Sequence, residues 1–167
     1  MSLFKFLKVN KKADVGLSIK SPNSITTDDI SLPIELTLTC PKACSVSNLT
    51  AKLRADLVDR QQSPSAAAYT ALGEVTAPEE IKMSAAKPET IQLHIPLDFS
   101  MLDAYEIPPE NMSAASEEMK AAAAATKSAV YKYSIEVLAK VIDTNHQIRA
   151  TAVIELIDPH SIRASSF

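Results

Sequence analysis

Three histidines, two cysteines and the acid pairs Asp28-Asp29 and Glu79-Glu80 are the side chains of this 167-residue sequence best suited to chemistry, and their spacing limits what they can do. His94, His146 and His160 never fall at the i, i+2 or i, i+4 separations that aim two imidazoles at one metal. His94 lies on the outward side of an alternating run, His146 in a turn and His160 just after Pro159, so all three read as surface residues. Cys40 and Cys44 form a CxxxC pair, with no second cysteine pair or nearby histidine to complete a zinc site. They either pack beside a break in the strand pairing or, if oxidised, bridge across Pro41. Asp28 and Asp29, like Glu79 and Glu80, are neighbours in sequence. Neighbours on a strand face opposite ways, and in a loop such pairs are ordinarily solvated. No serine occupies a GxSxG elbow, and the two glycines, Gly16 and Gly73, form no phosphate-cradling loop. The expectation is a chain with no catalytic, cofactor-binding or metal-binding residue, and so not an enzyme.

Composition narrows the class further. Seventeen basic against twenty acidic residues leave a net charge of −3, without the basic surplus that phosphate neutralisation requires, so nucleic acid is not an expected partner. No apolar run approaches the roughly 20 residues of a membrane helix. The opening Met1-Ser-Leu-Phe-Lys-Phe-Leu-Lys-Val-Asn10 is broken by Lys5 and Lys8 and lacks a small-residue cleavage site, which argues against a signal peptide. A cytoplasmic location with reduced cysteines is the expectation. The sequons at Asn48-Leu-Thr50 and Asn111-Met-Ser113 then read as chance matches. Leu3, Phe4, Phe6, Leu7 and Val9 alternate with Lys5, Lys8, Lys11 and Lys12. This segment either covers the folded domain or makes a weak membrane contact.

The elements that must position these residues are strands. Period-two alternation, the mark of half-buried strands, puts Leu32, Ile34, Leu36 and Leu38 on one face, then Leu49, Ala51, Leu53, Ala55 and Leu57. Ile91 to Phe99 alternates too, with Pro96 suggesting an edge or a bulge. Tyr131, Tyr133, Ile135, Val137 and Val141 share a face, Asp143 to His146 supply a turn, and Ile148 to Ile157 return as the hairpin partner. Shorter strands are expected over Ala13 to Ile19 and over Val75 to Met83, and a loop or short helix over Gln61 to Thr70. The stretch 111–128 has no β-formers and five consecutive alanines. Ser113 or Ser116 can cap it and Glu117 and Glu118 suit a first turn, so one inserted Ala-rich helix is predicted. The predicted fold is all-β, two packed antiparallel sheets forming an immunoglobulin-like sandwich over residues 13–158. An N-terminal segment (1–12) and a C-terminal tail (159–167) flank it. The expected core is Leu32, Ile34, Leu36, Leu38, Leu53, Leu57, Ile95, Tyr133, Ile135 and Val137.

Three blocks in this order carry a resemblance. They are Ile30 to Leu53 (strand, Cys-Pro-Lys break, strand with LTAKL), Ile91 to Phe99 leading to Ile107-Pro-Pro109, and Val130 to Val141 followed by a hairpin. The chain resembles one sandwich of the arrestin-like superfamily, which includes bacterial sporulation-control proteins and the arrestin-like subunit of retromer. The opening Met1-Ser-Leu-Phe-Lys-Phe-Leu7 is similar to the start of the bacterial members. The chain departs from the pattern at Thr27-Asp28-Asp29, where the family has a Pro-Gly-Glu turn, and in having length for one sandwich where most members have two. The resemblance implies scaffolding and no transferable active site. Three functions follow. One is an unidentified protein partner held by an arrestin-like scaffold, for instance through a sheet edge with free N–H and C=O groups. Another is a structural homo-oligomer joined by the Ala-rich helix. The third is a hydrolase or metal enzyme whose residues converge from distant segments.

Overall fold

The computed structural model describes residues 14–57, 69–102, 116–120 and 131–157. Alternation has become nine strands: β1 (Gly16–Lys20), β2 (Ser24–Thr26), β3 (Ser31–Thr39), β4 (Cys44–Leu57), β5 (Tyr69–Thr76), β6 (Ile81–Met83), β7 (Glu89–Pro96), β8 (Tyr131–Val141) and β9 (His146–Ile157). They form two sheets. One has the order β1-β3-β7, the other the order β2-β9-β8-β4-β5 with β6 paired to the start of β4.

One pairing departs from the antiparallel expectation: β2 runs parallel to β9, with Ser24 opposite Glu155 and Thr26 opposite Ile157. After β1 the chain crosses from the smaller sheet to the larger through Ser21, Pro22 and Asn23. The Glu155 N–H donates to the Asn23 carbonyl at 3.0 Å. The Asp29 carboxylate then accepts from the Thr26 N–H at 2.7 Å, closing the turn where Thr27-Asp28-Asp29 stands.

The inner faces meet in a single core. Leu32, Ile34, Leu36, Leu38 and Ile95 from the smaller sheet pack against Leu53, Ile135 and Val137 from the larger, all almost fully excluded from solvent. Tyr133 is only partly buried. It sits toward one end of β8 beside Tyr131, their ring centroids 6.4 Å apart. The Leu57 side chain lies outside the described residues. The core face of β4 changes phase once: Val46 is buried, and so are Leu49, Ala51 and Leu53. A bulge between Ser47 and Thr50 supplies the extra residue, with Asn48 at φ 52°, a left-handed conformation that asparagine tolerates better than most residues.

Several boundaries differ from the sequence reading. The first strand starts at Gly16, not Ala13, and the hairpin return starts at His146. The stretch Val75 to Met83 is two strands, because Ala77-Pro78 interrupts it, and β5 begins at Tyr69 inside the segment expected to be a loop. Pro33 falls in a central strand. It precedes the β1 pairing, which begins at Glu35, so its missing N–H costs no ladder bond there. Of the Ala-rich stretch, only residues 116–120 are described. Glu117 to Lys120 are helical, and the Ser116 hydroxyl accepts from the Met119 N–H at 3.2 Å as an N-cap. The rest of that helix, the N-terminal segment 1–12, the tail 159–167 and His160 lie outside the described residues.

Candidate functional site

On the outer face of the larger sheet, alternation in three adjacent strands stacks charged side chains side by side. β4 presents Lys52, Arg54 and Asp56, the register puts Arg54 opposite Ser134 and Lys52 opposite Glu136 on β8, and β9 adds Thr151 opposite Glu136. Ser134 and Thr151 are short, whereas the side chains around them are long. The result is a shallow depression of about 190 Å³ floored by the two hydroxyl residues. Glu136 is the anchor of this face, its side chain only 8% exposed. Arg54 Nη1 donates to Glu136 Oε1 at 3.2 Å and Nη2 donates to Asp56 Oδ1 at 2.9 Å. Arg149 Nη2 bonds the same Glu136 oxygen from the rim.

The Arg54 guanidinium also lies 3.9 Å from the ring centroid of Tyr69, a cation–π stack that fixes the plane of its fork. Burial works against the charge of Arg54. The hydrogen bond and charge of Asp56, followed by those of Glu136, outweigh it and hold the guanidinium above its ordinary pKa. Arg54 Nε is buried with no partner among the described residues, so the network is tight but not fully satisfied. Lys132 stands exposed opposite Asp56 and makes no ion pair among the described residues. Val153, 51% exposed, and Tyr69, 49% exposed, put apolar surface beside these charges.

A second row crosses the outer face of the smaller sheet. Glu35 on β3 accepts from Lys20 of β1 at 3.5 Å and from Gln92 of β7 at 2.6 Å. This row is balanced in charge and wide open, the pattern of a solvated face.

Just past the end of β7, one backbone bond ties the chain to β5. A register shift between Leu53 and Arg54 lets β5 turn its Leu72 carbonyl to the Asp98 N–H at 2.7 Å. Gly73 passes so close to Pro96 that a Cβ there would overlap the Pro96 carbonyl oxygen. Asp98 then caps a 3₁₀ turn (Ser100–Leu102), accepting from the Ser100 N–H at 3.0 Å and hydroxyl at 2.6 Å. Those two bonds hold its carboxyl below the usual range. β1 and β7 are the two edges of the smaller sheet, each paired only with β3 among the described residues.

The residues singled out in the sequence are scattered. His94 lies exposed on the outer side of β7, opposite Pro33. His146 is not a surface turn residue: it opens β9, is partly buried, and its Nε2 has no partner among the described residues. Cys40 and Cys44 are free thiols that do come together at one end of the sandwich. Cys40 is buried, with Sγ 3.5 Å from the Ser84 carbonyl. Burial first, then the hydrogen bond to Cys40, then the Cys40 and Asp143 charges push the Cys44 thiol up to about 11. Asp28 and Asp29 form a turn, and Glu79 and Glu80 lie exposed between β5 and β6. No group of three or more His, Cys, Asp or Glu converges to hold a metal among the described residues. No described helix is long and apolar enough to cross a membrane. The sequence reading missed Glu136. Its flanks, Ile135 and Val137, marked it as an outward residue, and only pairing to β4 and β9 reveals that two arginines bury it.

This architecture, two curled and largely antiparallel sheets about one core, is an arrestin-like β-sandwich. Among solved structures, the chain is similar to the sporulation control protein Spo0M from Bacillus subtilis. The TM-score is 0.56 at 4% sequence identity, over 86% of this chain and 49% of that one. At that identity the likeness is one of fold, and the chain spans about half the length of the structure it matches. No protein-family model matches the chain, and no curated protein matches it by sequence.

Proposed function

We propose that this chain is a non-enzymatic, arrestin-type sandwich that regulates by binding a partner protein, and that the partner adds an extended strand to the free edge of β1. The observation that carries the reading is the free edge of β1. β1 pairs only with β3, and the other row of its backbone N–H and C=O groups has no strand partner among the described residues. Free edge groups pair readily with an added strand, whose main-chain bonds supply affinity and whose alternate side chains supply specificity. β1 is short and carries Lys20 at its end, features that discourage indiscriminate pairing while leaving a five-residue site. That the structural neighbour is a sporulation control protein favours a regulatory role over a catalytic one. A cytoplasmic setting fits the same reading, with Cys40 and Cys44 kept as thiols.

The test is affinity capture from the native cell with the wild-type chain and with Ser18→Pro, followed by hydrogen exchange on the captured complex. The expected result is a protein held by the wild type and lost by Ser18→Pro, which slows exchange of the Gly16–Lys20 amides. Ser18 is solvent-exposed, so a matching thermal melt shows that the variant is folded. Retention of the same proteins by folded Ser18→Pro, or protection elsewhere, overturns the reading. Slowed β1 exchange in the isolated chain at high concentration would instead assign the edge to self-pairing.

A further inference from the structure

The depression on the outer face of the larger sheet lies on the other sheet from β1 and is a second candidate surface. Its chemistry is specific enough to name an occupant. From the arrangement of Arg54, Asp56, Lys132, Glu136 and Arg149 we infer that this face binds a single carboxylate from an acidic, partly apolar segment of a partner protein.

Charge counting selects the occupant. Arg54, Lys132 and Arg149 contribute three positive charges, and Asp56 and Glu136 two negative ones, so among the described residues lining the depression one cation is uncompensated. One positive charge matches a carboxylate monoanion. A phosphate dianion would leave negative charge in excess, beside two carboxylates already fixed there. The cations also differ in availability. Arg54 is committed to Asp56, Glu136 and the Tyr69 ring. Arg149 is 59% exposed and bonds only one oxygen of Glu136 among the described residues, and Lys132 is exposed without an ion pair among them. These two are the groups that can turn to an incoming anion, while Glu136 holds Arg149 over the depression.

The floor and walls suit the same ligand. Ser134 and Thr151 carry hydroxyls that donate to an anion as readily as they accept. Tyr69 and Val153 are half exposed next to the charges, so an apolar side chain adjoining the acid gains contact that a free anion would not. Tyrosine and arginine beside a small apolar patch are the composition that dominates binding energy in protein interfaces. Arg54 and Arg149 are also already oriented, by stacking and by ion pairing, which lowers the cost of ordering them.

The test follows backbone amide and arginine side-chain NMR resonances of the full chain during titration with three acetylated and amidated heptapeptides. The first is Gly-Ser-Leu-Glu-Val-Ser-Gly, the second has Gln for Glu, and the third has phosphoserine for Glu. The Glu peptide is expected to shift Arg149, Thr151 and Val153 with weak, saturable affinity. The Gln peptide should bind at least roughly fivefold more weakly, as loss of a charge-assisted hydrogen bond requires. Arg149→Ala and Lys132→Gln, both at exposed side chains, should each weaken the Glu peptide by a similar factor with the rest of the spectrum unchanged. Equal binding of Glu and Gln peptides, tighter binding of the phosphoserine peptide, or no saturable shift on this face overturns the inference. Shifts confined to Gly16–Lys20 would do the same while supporting strand addition at β1.

Discussion

Replacing Glu136 by glutamine asks how much of the outer-face network is structural. The side chain is only 8% exposed and serves two arginines that are not equivalent: the Arg54 side chain is 17% exposed and that of Arg149 59%. Losing the charge costs the Arg54 bond most, because a buried charge-assisted hydrogen bond contributes about 1.5–3 kcal/mol. The Arg149 bond lies at the rim, where an ion pair contributes about 0–1 kcal/mol. Glutamine keeps the volume and one acceptor, so Glu136→Gln should destabilise the chain by about 2 kcal/mol. At roughly 2–4 °C per kcal/mol for a domain of this size, Tm should fall by about 4–8 °C. Arg149→Ala should cost under about 1 kcal/mol. In the double variant the Arg149 cost should largely vanish, because its partner has already lost its charge. Urea unfolding of the four proteins gives the cycle. Repeating it in 1 M salt should erase the Arg149 effect and leave most of the Glu136 effect, since screening reaches the rim and not the buried bond. A neutral Glu136→Gln, or an Arg149→Ala as costly as Glu136→Gln, would refute the division of roles drawn here.

Gly73→Ala should destabilise by about 2–4 kcal/mol in the same assay, because its Cβ meets the Pro96 backbone, which cannot rotate away. Gly16→Ala should cost less, since the nearest atom there is the hydroxyl of a Thr39 side chain. Leu53→Ala should cost about 2–5 kcal/mol, for Leu53 is fully buried at the centre of β4 and its neighbours on β5 and β8 are held by the ladder. The Cys44 thiol has a raised folded pKa, so ionising it disfavours the fold. Its contribution should be complete below pH 9, the ordinary thiol value, and be lost as pH rises toward 11. The 13Cβ NMR resonance of Cys44 should titrate near pH 11 in the folded chain and near 9 in urea, and Cys44→Ser should remove part of the alkaline loss of stability.

The inward face was the most legible part of the sequence. Leu32, Ile34, Leu36 and Leu38 alternate without interruption, and a one-residue slip would expose all four, so the pattern admits one register. Pairing was less legible. Nothing in Ser24-Ile-Thr26 distinguishes a parallel partner from an antiparallel one, and Asn48 looks like part of a sequon until the phase change from Val46 to Leu49 demands a bulge. Tyr69 to Leu72 was obscured by the small polar residues before it, and Pro78 marked the interruption that the longer strand reading passed over. The outer face was the least legible, since Arg54, Glu136 and Arg149 are far apart in sequence and each looks like an ordinary solvated residue of an alternating strand.

The two surfaces answer to different physical demands, which is why one sandwich can carry both. An edge binds through its backbone, so β1 needs only free N–H and C=O groups and a side-chain pattern that keeps Leu17 and Ile19 inward while Ser18 and Lys20 face out. A face has its backbone already paired and must bind through side chains, so β4, β8 and β9 need a rigid ladder that holds Arg54 and Glu136 in place. The central position of β8 between β4 and β9 supplies that rigidity, and the edge position of β1 supplies the opposite.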